Sequence, residues 1–344
     1  MKKIKSLIFV IRQNNPFGIA LGWTFALLWF FSPMVLAEVN SQSLKSDYPQ
    51  KPIRLVVPSS PGGGIDALAR AMVPRMTEHW GKSIIIDNRA GAGGLIGSEI
   101  VARSAPDGYT VLMVAGGYTL NPSLYKKLPY DTLRDFERVS LVACSPLVLV
   151  SHASTGARSQ KELIAMTKKN PNTLTYASSG IGSVSYLAAE ILKHMTGMPV
   201  IHVPYKGAGL SNAAIIAGQV QFMFAAPHTM IQHVKTGRVF ALGVSSIHRL
   251  PLIPDVPTVA ENGFPSFDVN TCYGVLLPAK TPKVIVDKLS AEVIRTLHLP
   301  EVKANLEGQS FDIIASSAEE FDRFARQELI RWPKILKEAG IQPE

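Results

Sequence analysis

The sequence predicts an α/β protein built as two similar lobes, each a mixed, mostly parallel sheet flanked by helices. Three observations carry this. The chain has 344 residues, about twice a common domain length, and its 47% hydrophobic content is enough for a large core. Short β-branched runs alternate with longer segments whose apolar residues recur at helical spacing, the pattern of βαβ units. The alternation starts afresh near the middle without a fixed period, which argues against a solenoid or propeller.

The first cycle places strands at 53–57, 84–87, 109–114 and 139–150, with helices at 65–80 and 95–105 between them. Pro74 inside the first helix should kink or divide it. The second cycle places helices at 159–169 and 184–195, and strands at 174–177, 200–203, 220–224 and 240–244. A strand at 273–277, helices at 283–297 and 318–339, and a short strand at 311–314 complete the chain.

Ahead of these elements, residues 1–37 carry Lys2, Lys3, Lys5 and Arg12, then an uncharged apolar run ending Val35-Leu36-Ala37. A basic start, an apolar middle and compact residues at the cleavage positions describe a secretory signal peptide; an uncleaved anchor is the alternative, against which Gly18, Gly22 and Pro33 interrupt the run. Without this segment the formal charge falls from +9 to +5 over 307 residues, and the remaining charges are interspersed. No basic block or aromatic-basic ladder points to nucleic acid. The eight histidines and two cysteines show no CxxC, HExxH or other metal-ligand spacing, so no metal site is expected.

The chemistry is expected in loops. Ser59-Ser60-Pro61-Gly62-Gly63-Gly64 joins a buried strand to a helix, and Ser178-Ser179-Gly180-Ile181-Gly182-Ser183 repeats the design in the second cycle. Such loops let backbone N–H groups converge at a helix start, where unsatisfied donors and the helix dipole favour a carboxylate or phosphate. Asp66 is expected to support its helix and pair with Arg70 rather than meet a ligand. Neither loop is a Walker A sequence, the degenerate GxG at 180–182 lacks the acidic residue that would close a dinucleotide fingerprint, and 91–97 precedes a helix without an obvious strand end before it, Asn88-Arg89 reading as a turn. No GxSxG elbow, kinase set or paired-carboxylate motif supports an enzyme, and no cofactor is indicated.

Together the motifs resemble a known family. Tyr48-Pro-Gln-Lys-Pro-Ile-Arg-Leu-Val-Val-Pro, Pro61-Gly-Gly-Gly-Ile-Asp66, Asp87-Asn-Arg-Ala-Gly-Ala-Gly-Gly94, Ser104-Ala-Pro-Asp-Gly-Tyr-Thr110, His202-Val-Pro-Tyr-Lys-Gly207 and Ile253-Pro-Asp-Val-Pro-Thr258 are similar, in content and order, to the Bug (TctC-like) solute-binding proteins of tripartite tricarboxylate transporters. The resemblance spans essentially the whole mature chain. It implies a periplasmic, type II-like two-lobed binding protein, monomeric and non-enzymatic. Signal peptide 1–37 and linker 38–47 would precede lobe 1 (48–147 plus 273–344) and lobe 2 (148–272), joined by two crossing strands near 145–150 and 270–274.

By the same resemblance, a small carboxylate (an organic acid, dicarboxylate or acidic amino acid) is held by Ser59–Gly64 and Ser178–Ser183, then delivered to membrane permease subunits. Presentation to a sensor kinase and a secreted dinucleotide-dependent enzyme stay open as alternatives. Ligands of open α/β sheets lie beyond the carboxyl ends of strands, which adds Gly116, Tyr118, Tyr205, Ala226 and Pro227 as expected walls. Ser59, Tyr186, Gln221 and Cys272 stand where the family usually has an aromatic, His, Asp and Trp. Cys144 and Cys272 fall near the implied crossings, where either a hinge-stiffening disulfide or two buried thiols would fit.

Overall fold

β1 (Ile53–Val57) is buried at every position but Arg54, because it lies inside a sheet with β2 (Ile84–Asn88) and β3 (Thr110–Val114) on its two sides. The computed structural model describes residues 47–343, so the expected signal peptide and all but the last residue of the linker lie outside the described residues. Pro49–Glu344 form one contact unit, within which two sheets are laid down in turn. After β1 come α1 (Gly64–Trp80), β2 (Ile84–Asn88), α2 (Leu95–Ala102), β3 (Thr110–Val114), α3 (Gly117–Leu124) and β4 (Phe136–Pro146). α1 is not divided at Pro74, and it ends where Gly81 adopts a left-handed φ of 61°.

The run expected as one strand at 139–150 is two. Pro146 has no N–H to continue a ladder, and after Leu147 the chain enters a second sheet as β5 (Val148–His152). That sheet then gains α4 (Gln160–Lys169), β6 (Thr175–Ser178), α5 (Val184–Thr196), β7 (Ile201–Pro204), α6 (Ala208–Ile216), β8 (Phe222–Ala225), α7 (Pro227–Lys235) and β9 (Val239–Val244). The chain returns through β10 (Asn270–Pro278), α8 (Lys283–Leu297), α9 (Pro300–Glu307), β11 (Asp312–Ile313) and α10 (Ala318–Glu338). Ser159, Ser183 and Ser317 cap α4, α5 and α10 with their hydroxyls, the last in a reciprocal capping box with Glu320.

The first sheet runs β11-β4-β10-β3-β1-β2 and the second β7-β6-β8-β5-β9. The parallel ladders between strands fall within β1–β3 and β6–β8, while β10, β4, β11, β5 and β9 add antiparallel ladders. The sheets are therefore mixed in near-equal measure rather than mostly parallel. The cause is the crossings, since a strand that returns from the other sheet inserts against the direction of its neighbours.

The passage between sheets is tied by Ser245, which is fully buried. Its hydroxyl accepts from Leu147 N–H (2.7 Å) and donates to Val269 C=O (2.6 Å), and its N–H donates to Leu147 C=O (2.9 Å). One residue pair from this point, Asn270 faces Pro146 across the β4–β10 ladder, and Cys272 faces Cys144. The two cysteines are joined by a disulfide, with Cα atoms 4.0 Å apart. A third element bridges the sheets. α10 places Phe321 and Ala325 in the core of the first, and Trp332 and Leu336 in the core of the second. Trp332 is buried, its indole N–H donating to Thr119 Oγ1 of α3 at 3.2 Å.

The cross-link closes a sequence separation of 128 residues. Protein unfolded without reductant should titrate with no free thiol, and Cys144→Ala/Cys272→Ala should lose about 2–5 kcal/mol in denaturant unfolding.

Candidate functional site

A cleft of about 110 Å³ lies where the loops following β1, β2, β3, β6, β7 and β8 meet, at the carboxyl ends of the parallel strands. Its walls include the first residues of five helix starts: Gly64 and Ile65 of α1, Gly117 and Tyr118 of α3, Val184 and Ser185 of α5, Ala208 of α6, and Ala226 before α7. Among the described residues, no Asp, Glu, Lys, Arg or His lines it. The cleft thus presents N–H groups, hydroxyls and apolar surface, a donor-rich environment with no fixed charge and no general acid, base or nucleophile pair.

The first loop is shaped by Asp66, only 2% exposed. Its Oδ2 accepts from Gly62 N–H (3.0 Å) and Arg70 Nε (2.8 Å), and its Oδ1 from Asn88 Nδ2 (3.1 Å), which also donates to Ser59 C=O (3.1 Å). Burial by itself would raise this carboxyl's pKa, but the hydrogen bonds from Arg70, Gly62 and Asn88 outweigh it and hold the group below its ordinary value. Asp66 is consumed in folding the loop back over α1, and Gly63, without a side chain, leaves the helix start uncapped.

In the second loop the hydroxyls are partnered with one another. Ser185 Oγ accepts from Ser179 N–H (3.1 Å) and lies 3.0 Å from both Ser179 Oγ and Ser183 Oγ. Ser183 caps α5 by accepting from Tyr186 N–H. Ser178 turns the other way. Its Oγ accepts from Gly180 N–H and shares a 2.7 Å hydrogen bond with His202 Nε2, whose imidazole burial pushes down to about 4 and keeps neutral.

Both rims of the cleft are shut by contacts between the lobes. α6 begins at Gly207, which offers no cap, and loop 59–62 supplies one from across the cleft: Ser59 Oγ accepts from Ala208 N–H and Ser60 Oγ from Leu210 N–H, each at 3.4 Å, while Asn212 Nδ2 donates to Gly62 C=O at 3.4 Å. On the other rim Tyr125 O–H donates to Ile181 C=O at 3.0 Å. Backbone approaches so closely at these seams that a Cβ on Gly209 would overlap Pro61 C=O, and one on Gly93 would overlap Ile181 C=O.

Of the residues expected from sequence, Ser59, Tyr118, Ser179, Ser183 and Ala226 line the cleft. Ser60, Pro61, Gly62 and Gly63 sit instead at the seam with α6, where a Cβ on Gly63 would come within 2.7 Å of Ala208 Cβ. Gly180 and Gly182 form the opposite seam, and Gly116 lies against Val184. Ser178, Tyr205 and Pro227 stand outside the lining; Tyr205 packs with the core beside β8, and Pro227 is the first residue of α7. Tyr118 presents its ring, since its hydroxyl donates to Thr132 C=O. Among the lining residues missed were Ser98, Asn121, Ser211 and Asn212, and Thr271 and Tyr273 of β10. For the β10 pair a signal existed, because residues two apart on a strand share one face.

The family model of the tripartite tricarboxylate transporter family receptor (TctC) matches residues 68–341. A protein in the tcbD-tcbE intergenic region of Pseudomonas sp. (strain P51) is 36% identical over 306 residues, covering 89% of this chain and 91% of that one. Among solved structures, the periplasmic binding protein BugD superposes with a TM-score of 0.83 at 32% identity, covering 86% of this chain and all of that one. An R. palustris protein with adipate gives 0.83 at 32% identity with the same coverage. MatC from Rhodopseudomonas palustris with bound malate gives 0.81 at 30%, covering 84% and 100%. The two-lobed α/β fold is the one these binding proteins share.

Asp66→Asn, which replaces an acceptor of three hydrogen bonds, should cost about 2–4 kcal/mol at pH 7, with Arg70's share reduced by its exposure. Because the folded carboxyl is held below its unfolded value, this stability is present above about pH 4 and lost as pH falls through the lower, folded value. Urea unfolding of both proteins at pH 7 and pH 3 should therefore show the gap between them narrowing in acid.

Proposed function

Since the chain belongs to the tripartite tricarboxylate transporter receptor family, we propose that it captures a small carboxylate in the interlobe cleft and delivers it to the permease subunits of such a transporter. It is a solute-binding protein, not an enzyme. TctC and Bug receptors are periplasmic, and a cleaved signal at 1–37 would put this one there.

One observation carries the ligand class: five helix starts face a cleft that no charged side chain lines among the described residues. Converging N–H groups and hydroxyls stabilise an oxyanion while leaving no cation to desolvate when the site is empty. The adipate and malate bound by two neighbours belong to the same chemical class. The lobe division 48–147 plus 273–344 against 148–272 puts both crossings beside Ser245 and the disulfide, so capture is a rotation about that point. The contacts at both rims describe the closed form, and an opened cleft admits the ligand.

Two measurements test this. In a thermal-shift panel of dicarboxylates, acidic amino acids, aromatic acids and nicotinamide dinucleotides, a carboxylate at a hundred times its Kd should add about 2.7 kcal/mol of stability. Stabilisation by dinucleotides and by no carboxylate would sink the reading. Gly209→Val, whose side chain would strike Pro61 C=O only when the rims meet, should fold with the wild-type melting temperature yet bind the selected carboxylate at least about tenfold more weakly. Small-angle scattering of that variant should show no compaction when ligand is added.

A further inference from the structure

We propose that the Tyr273 hydroxyl is a ligand-binding group of the cleft, donating its proton to the oxyanion seated at the start of α1. This inference rests on the carboxylate reading above and names a contact that neither Gly-rich loop provides.

Tyr273 lies on β10, one of the two crossing strands, and is 4% exposed. Its ring is fixed edge-on against Phe311, with centroids 5.6 Å apart and an interplanar angle of 70°. The side chain lines the cleft, and its hydroxyl has no hydrogen-bond partner among the described residues. Most other cleft hydroxyls are already committed. Tyr118 donates to Thr132 C=O, Ser98 to Gly94 C=O and Ser211 to Ala208 C=O, while Ser179, Ser183 and Ser185 bond among themselves. Ser59 Oγ accepts from Ala208 N–H but donates to no group among the described residues, and Thr271, two residues earlier on the same face as Tyr273, likewise has no partner among them.

The place of the oxygen matters as much as its freedom. A Cβ on Gly64, the first residue of α1, would lie 2.5 Å from the Tyr273 hydroxyl and 3.4 Å from ring Cζ. The phenol therefore occupies the space a side chain at 64 would fill, directly over an uncapped helix start. Ala226, at the start of α7 on the other lobe, has its Cβ 3.7 Å from the same point. A buried phenol O–H and a set of unsatisfied helix N–H groups are all donors, and one acceptor placed between them satisfies both. An oxyanion is that acceptor, and its hydrogen bonds are the stronger, charge-assisted kind. Burial raises the Tyr273 pKa above its ordinary value, so the group remains a donor across physiological pH.

Isothermal titration of wild type, Tyr273→Phe, Gly64→Ala and the double variant with succinate, malate, adipate and glutamate tests this. Tyr273→Phe, which keeps the ring, should leave the unliganded melting temperature unchanged and weaken the carboxylates that bind by roughly tenfold to a hundredfold. Gly64→Ala should weaken them too, by displacing the oxygen. The double variant should bind no worse than Tyr273→Phe, because Cζ alone leaves the new methyl ordinary contact distance. Wild-type affinity in either single variant overturns the inference. A wild-type protein that binds none of the four acids overturns the carboxylate reading, and the inference falls with it.

Discussion

The proposed capture of a carboxylate sets one physical problem, that of holding a desolvated anion in a cleft lined by no cation among the described residues. Only backbone N–H groups at helix starts and a few hydroxyls can do so, and each helix start offers just a few such donors. Several must therefore point at one place. The two sheets achieve this by directing the carboxyl ends of their parallel strands toward each other, so that α1, α3, α5, α6 and the segment before α7 all begin at the cleft. The glycines follow from the same demand. Backbone can approach backbone across the cleft only where no Cβ intervenes, as at Gly93 against Ile181 and at Gly209 against Pro61.

Rigid and compliant parts are separated accordingly. Asp66 fixes loop 59–64 to its own lobe through Gly62, Arg70 and Asn88, so the loop arrives preformed. Of the four hydrogen bonds described across the rims, three are long, at 3.4 Å, which suits the reversible closure proposed above. Where the chain passes between the sheets the bonding is dense. Ser245 joins Leu147 to Val269, and the disulfide fixes the register of β4 on β10.

What the sequence revealed was what is local. The strand–glycine–helix loops at 59–64 and 178–183 announce themselves through composition, and long amphipathic segments such as α8 and α10 through period. α3, α6, α7 and α9 escaped because they are short, and α3 and α6 also carry Gly, Asn, Ser or Pro, which are poor helix formers held here by packing. The wall formed by Ala208 and Asn212 could not be read, since it meets loop 59–62 across some 150 residues of chain. Ser178 and Ser179 looked equivalent in sequence, yet successive residues at the end of a strand face opposite ways, so one points at His202 and the other at the cleft.

α10 changes what kind of motion two crossing strands permit. Two adjacent strands alone would allow one lobe to twist about their common axis as well as to bend across it. A 21-residue helix, about 31 Å long, that sinks Phe321 into one core and Trp332 into the other adds a third anchorage away from that axis. Three anchorages remove the torsional degree of freedom and leave a single bending coordinate. In the capture proposed above, the empty receptor would then sample a narrow path of conformers instead of a wide cone, and binding would forfeit correspondingly little orientational entropy.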